Sequence, residues 1–214
     1  MVRGGAALVA SGVTPNTSTE TVTLSTGGAT LLVAVLSSNG IPTMSDSVGG
    51  NSNTWNYLTQ VGGSRMAYAF AATGGGALNT GASHVFTPAP AANFASCAVF
   101  AFSGTLTTAS VFDVANQTAN IPNGGPGGTY QPGSITPSQS GDILVTGFGT
   151  SGALSAVSVN DSFTGIQQLD PSNNWATLAA AYLLNASASA INPTWTATIN
   201  ASAPNCMIAS FKTH

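Results

Sequence analysis

Two aliphatic runs constrain this chain more than anything else in it. Thr30–Leu36 carries Leu31, Leu32, Val33, Val35 and Leu36 without a polar break, and Asp142–Phe148 carries Ile143, Leu144, Val145 and Phe148. Each run is too short to cross a membrane and too short for a stable helix. Bounded by Gly and Ser, each reads as a strand buried on both faces. They begin 112 positions apart.

What surrounds the runs also repeats. Cys97–Phe102 and Cys206–Phe211 are apolar on both faces and lie 109 positions apart. Met66–Phe70 aligns with Leu178–Tyr182 at the same 112 offset, and the Asp46 turn aligns with the Asp161 turn at 115. The order of these landmarks is unchanged, which argues for an internal duplication. Glu20–Leu24 and Trp195–Ile199 alternate apolar and polar residues, as half-buried strands do. Trp175, Leu178, Ala179, Tyr182 and Leu183 also fit helical spacing. The shortness of the counterpart at Arg65–Phe70 favours a strand there.

The expected fold is therefore all-β: a β-sandwich, jelly-roll-like, built from two repeated halves of about six short strands each. Residues 1–17 read as an N-terminal arm with one strand-like patch at Ala6–Ala10, and 18–104 as the first half. Residues 105–128 read as a Gly/Pro-rich connector and 129–214 as the second half. The halves are expected to pack as one body, because each alone has few large core residues.

Only 4% of the 214 residues are charged, against roughly 25% in an average soluble domain. A formal net charge of −3 offers nothing to a phosphate backbone, so no nucleic-acid partner is expected. No stretch is long and apolar enough for a membrane helix, so no membrane partner is expected either. An uncharged surface does little to hold copies apart, which suits a protein that sits against neighbours as a homo-oligomer.

A set of turn and strand signatures resembles a β-sandwich module found in phage structural proteins and in bacterial secreted or surface proteins. The residues are Asp46–Gly49, Asn53–Trp55, Phe102–Gly104, Val111–Asp113, and Thr136–Pro137 with Gly141–Asp142. The match spans most of residues 20–212. It departs in a longer loop between Asp46 and Trp55, and in Ala101 where the module often has an acidic residue. The resemblance implies a display, adhesion or shell component and brings no shared catalytic set.

Candidate sites are few. The acidic residues fall mostly in turns, where Asx capping explains them. His84 and His214 are the sole histidines. His84 alternates with Phe86 as an ordinary strand residue would, and no Gly-x-Ser-x-Gly elbow is present. No enzyme is expected. Asp46, Asn51 and Asn53 could offer oxygens to Ca²⁺, although their spacing is not that of an EF-hand; otherwise no cofactor is expected. Trp55 and Tyr57 share a face after a polar loop, and with Trp175 they form a candidate platform for stacking sugars, with core packing as the competing use. Cys97 and Cys206 occupy matching strands and would form a disulfide only if those strands lie side by side.

The leading expectation is a structural protein of the virion surface. It would be a capsid decoration protein or a head or tail fibre component, with other capsid or fibre subunits as partners. The alternative is a secreted or displayed carbohydrate-binding or adhesion module that meets a cell-surface glycan.

Overall fold

The computed structural model describes residues 5–14, 21–71, 77–89, 95–119, 121–122, 127–150, 152–168, 176–200 and 204–214. They form strands and one 3-10 turn, Ala109–Val111. The first half contributes β1 (Ala7–Val13), β2 (Val22–Leu24), β3 (Leu31–Ser37), β4 (Thr43–Ser47), β5 (Asn56–Tyr57), β6 (Ser64–Phe70), β7 (His84–Ala89) and β8 (Ser96–Ser103). The second contributes β9 (Phe112–Thr118), β10 (Gly128–Tyr130), β11 (Asp142–Thr150), β12 (Ala153–Val159), β13 (Thr164–Gln168), β14 (Thr177–Ala186), β15 (Trp195–Asn200) and β16 (Asn205–Phe211).

The two halves carry the same strand order. In the first, a five-stranded sheet runs β1-β8-β3-β6-β5 and a three-stranded sheet runs β2-β7-β4. In the second, the sheets run β9-β16-β11-β14-β13 and β10-β15-β12. Substituting each strand by the one eight places later converts one half into the other. All pairings are antiparallel, and each half is a two-sheet jelly roll.

The five-stranded sheets face each other and the three-stranded sheets cover their outer sides, giving four layers. Leu31, Val33, Val35, Met66, Phe100 and Phe102 of the first half share one core with Ile143, Val145, Leu178, Met207 and Phe211 of the second. Leu32, Ala34, Leu36 and Val99 point the other way, onto Val22, Met44, Trp55 and Phe86. Phe148, Ala179 and Cys206 meet Tyr130, Leu154 and Trp195 on the opposite outer side. The central strands are thus buried on both faces, and for that reason their sequences are unbroken apolar runs.

The central interface is reciprocal. Val33 pairs with Tyr68 and Val145 with Tyr182, so the two tyrosines are equivalent. Phe102 and Phe211 are equivalent in the same way, opposite Leu31 and Ile143. Tyr68 meets Phe211 edge-on at 5.5 Å and Tyr182 meets Phe102 edge-on at 5.8 Å. Residue contacts of this crossed kind are the mark of an isologous, twofold interface. Here it is made within one chain.

Three expectations change. Among the described residues each half has eight strands in place of about six. Part of the expected arm is β1, hydrogen-bonded to β8, and part of the expected connector is β9, hydrogen-bonded to β16. Both segments alternate weakly, and the edge of an apolar neighbour decides their structure more than their own propensity does. The tyrosine ladder also moves the alignment of β6 with β14 from an offset of 112 to 114, which preserves the face because side chains alternate with a period of two. Leu178–Leu183 is strand, not helix. Cys97 and Cys206 form no disulfide with each other and lie in separate outer cores, on opposite sides of the molecule.

Candidate functional site

The strongest polar constellation lies inside the first sandwich. Along β4, Met44 and Asp46 turn inward and their neighbours outward. Along β7, His84 and Phe86 turn inward. This alternation drives a carboxylate and an imidazole into an apolar space, where each needs partners. They find each other: His84 Nε2 lies 2.7 Å from Asp46 Oδ2, with both side chains wholly buried.

Every acceptor position of Asp46 is taken. Oδ1 accepts from the Asn53 backbone N–H at 2.9 Å and from Trp55 Nε1 at 3.0 Å. Oδ2 accepts from Asn53 Nδ2 at 2.5 Å as well as from His84. Burial alone pushes the Asp46 carboxyl up, but the hydrogen bonds from His84, Asn53 and Trp55 outweigh it and hold the group below the usual carboxylate range. On its other side His84 Nδ1 lies 2.8 Å from Thr26 Oγ1, and that oxygen accepts from Gly81 N–H at 3.2 Å. Asn53 Oδ1 accepts from Asn79 N–H at 2.7 Å. One carboxylate thus ties together the turn after β2, the loop after β4 and the loop before β7.

Hydroxyl, imidazole and carboxylate follow one another as in a nucleophilic triad. Yet Thr26 and His84 are both 0% exposed, so the hydroxyl faces no substrate. The arrangement works as a clamp. Its counterpart in the second sandwich is apolar: the inward positions of β12 are Leu154 and Val157, and β15 opens with Trp195 where β7 opens with His84.

The expected Ca²⁺ ligands are therefore engaged otherwise. Asp46 and Asn53 bond to each other, and Asn51 is exposed with its Nδ2 donating to Gly49 O. Among the described residues no three His, Cys, Asp or Glu side chains gather to hold a metal. The expected aromatic platform is divided. Trp55 is a core residue, edge-on to Phe86 at 6.3 Å. Tyr57 packs on the same core, its hydroxyl donating to Met44 O at 3.0 Å and accepting from Met44 N–H at 2.9 Å. Arg65 covers the Tyr57 ring, 4.3 Å from its centroid. The shared face of Trp55 and Tyr57 looks into the sandwich and not out of it. Trp175 lies outside the described residues. A cleft of about 460 Å³ opens between β5 and β9, bordered by Tyr57, Leu58, Phe112 and Gln117.

All but one of the remaining charges among the described residues are also placed inward or paired. Lys212 Nζ lies 3.3 Å from Asp113 Oδ1, and Ser138 N–H donates to Asp113 Oδ2 at 2.7 Å. Asp142 is buried and accepts from Ser210 Oγ at 3.1 Å; burial pushes its carboxyl up. Of the six Asp, Lys and Arg side chains among the described residues, only Asp161 is exposed without an ionic or aromatic partner.

Sequence reasoning missed the pairing of Asp46 with His84, which are 38 positions apart. The available signal was the inward alternation of His84 with Phe86, since a buried histidine requires a partner.

No family model matches the chain, and no curated protein matches it. Solved structures give distant likenesses. A conserved protein of unknown function from Pseudomonas aeruginosa is 12% identical over 91% of this chain and 79% of its own, with a TM-score of 0.26. An anti-sigma factor domain-containing protein is 9% identical over 86% and 75%, with a TM-score of 0.23. A Geobacillus kaustophilus protein is 10% identical over 98% and 94%, with a TM-score of 0.28. Likenesses this slight carry no inference about fold or role.

Proposed function

We propose that the protein is a structural component of a virion surface, a capsid decoration or head or tail fibre protein that acts by self-association and tiling. One observation carries this reading: the outside of the described body is almost uncharged. Asp46 and Asp142 are inside, Asp113 is paired with Lys212, and Arg65 lies on Tyr57. A freely diffusing protein gains solubility from exposed charge, whereas a protein packed among neighbours gains from its absence. The buried clamp adds rigidity without a reactive centre, as scaffolding requires. The jelly roll is compatible with this role but does not by itself argue for it.

Co-sedimentation of the purified chain with virions from its own source tests the reading. The chain is expected in the pellet, with little dependence on salt because few ion pairs are available to screen. A chain that stays in the supernatant, and stays dispersed at high concentration, overturns it.

A further inference from the structure

The repeated halves allow their edges to be compared. β1 and β9 hold equivalent places, each outermost in its five-stranded sheet and each paired with the last strand of its half. Gly12 pairs with Val99 and Asn116 with Ile208, and those partners are 109 positions apart, as Cys97 and Cys206 are. Gly12 is therefore the counterpart of Asn116, and Val13 of Gln117.

Successive residues of an antiparallel strand turn their N–H and C=O alternately toward the partner and away. The Thr14 N–H donates to Cys97 O at 2.9 Å. Gly12 thus also faces β8, and Ser11 and Val13 turn their backbone groups outward. On β9 the equivalent outward group, the Gln117 N–H, is capped: it donates to Asn116 Oδ1 at 2.8 Å. Asn116 Nδ2 is held in turn by Ser134 O at 3.0 Å. On β1 the capping side chain is missing because its position is Gly12. Nor would one fit, since a Cβ there would lie 2.7 Å from Leu24 Cδ2 and 2.8 Å from Val22 Cγ2. β1 contains no charge and no proline, two of the usual guards of a sheet edge, and its bulge between Leu8 and Ala10 leaves Ser11, Gly12 and Val13 in regular register. Among the described residues, nothing pairs with its outer side.

We propose that the open edge of β1 receives a second copy of the chain, β1 against β1 and antiparallel, joining two five-stranded sheets about a twofold axis. Because the equivalent edge on β9 is capped, the contact is isologous and closes on itself as a pair. An uncharged edge meets its own copy without repulsion. The inference refines the self-association in the reading above and rests on that part of it.

Light scattering coupled to size exclusion, run over a range of chain concentrations, reads the outcome. The wild-type chain is expected to pass from 21.1 kDa to twice that mass. Ser11→Pro removes an outward N–H without touching a bond to β8, and Ser11→Lys adds an edge charge while keeping the backbone intact. Both are expected to keep the wild-type circular dichroism and to hold the single-chain mass where wild type is paired. If Ser11→Pro fails to fold, Ser11→Lys decides. A wild-type chain of single mass throughout, or a Ser11→Lys chain that pairs as wild type does, overturns the proposal. A chain that pairs through Ser11 but does not sediment with virions defeats the tiling reading alone. A single chain that coats virions defeats this inference alone.

Discussion

Gly147 sits where β11 of the second half closely approaches β3 of the first, and replacing it is a sharp test of the central interface. It lies in β11 opposite Val35 of β3, its own counterpart in the first half. A Cβ added at Gly147 would stand 2.5 Å from Val35 Cγ1, 3.2 Å from Val35 Cγ2 and 3.3 Å from Met207 Cγ. Carbon contacts prefer about 3.5–4.0 Å, so Gly147→Ala needs the sheets or Val35 to yield by roughly 1 Å. Val35 is fully buried, and a β-branched side chain has little rotamer freedom. Overpacking of this kind costs about 1–3 kcal/mol. Replacing a strand glycine by alanine returns about 0.5–1 kcal/mol, leaving a net loss centred near 1 kcal/mol, roughly 2.5 at most. For a chain of this size a loss of about 1 kcal/mol lowers Tm by roughly 2–4 °C. Val35→Ala alone should cost about 2–3 kcal/mol for the lost burial. Thermal and denaturant unfolding of both single variants and the double variant measures the coupling. The double variant should be about 1–2 kcal/mol more stable than additivity implies, because the new methyl enters the space that Val35 vacates. A Gly147→Ala protein at least as stable as wild type, or single-variant costs that simply add, refutes the close approach of β3 and β11.

Three further outcomes are expected. Asp46→Asn leaves buried donors on His84, Trp55 and Asn53 short of an acceptor and should cost about 3–5 kcal/mol, read by denaturant unfolding. The Asp46 carboxyl is held low in the fold, so its stabilisation is complete above the unfolded value of about 3.9 and drains away as pH falls through the folded value; in Asp46→Asn the acid limb of Tm against pH should flatten. Asp142 behaves oppositely. Its raised carboxyl favours the fold as pH drops toward the unfolded value, so Asp142→Asn should raise Tm at neutral pH and lose that advantage in acid. Cys97 and Cys206 are both 0% exposed, and burial drives the Cys206 thiol far up, so a thiol reagent should label two groups per chain only after denaturation.

Much of the fold is legible in the sequence, and the reasons are local. β3, β8, β11 and β16 announce themselves because a strand covered on both faces carries no polar break. The repeat shows because the same demand falls on both halves. β9 is hidden and β1 shows only as the patch at Ala6–Ala10, since an edge strand in contact on one side needs only weak alternation, and Gly12 interrupts even that. The spacing of Trp55 and Tyr57 gives a shared face, but only the position of β4 shows that the face looks inward. The polar loop at Asp46 is visible as a loop. That its carboxylate meets His84 depends on β4 and β7 becoming neighbours, a long-range pairing that no short window contains.

The shared central core also has a consequence for synthesis. The first sheet is complete when Ser103 has emerged, but the face that shields it ends at Phe211, 108 residues later. At about 5–20 residues per second, a nascent chain leaves Leu31, Val33, Phe100 and Phe102 uncovered for roughly 5–20 s. Ribosome-associated chaperones are therefore expected to hold this polypeptide during that interval, and a stalled product ending near the connector should be sticky.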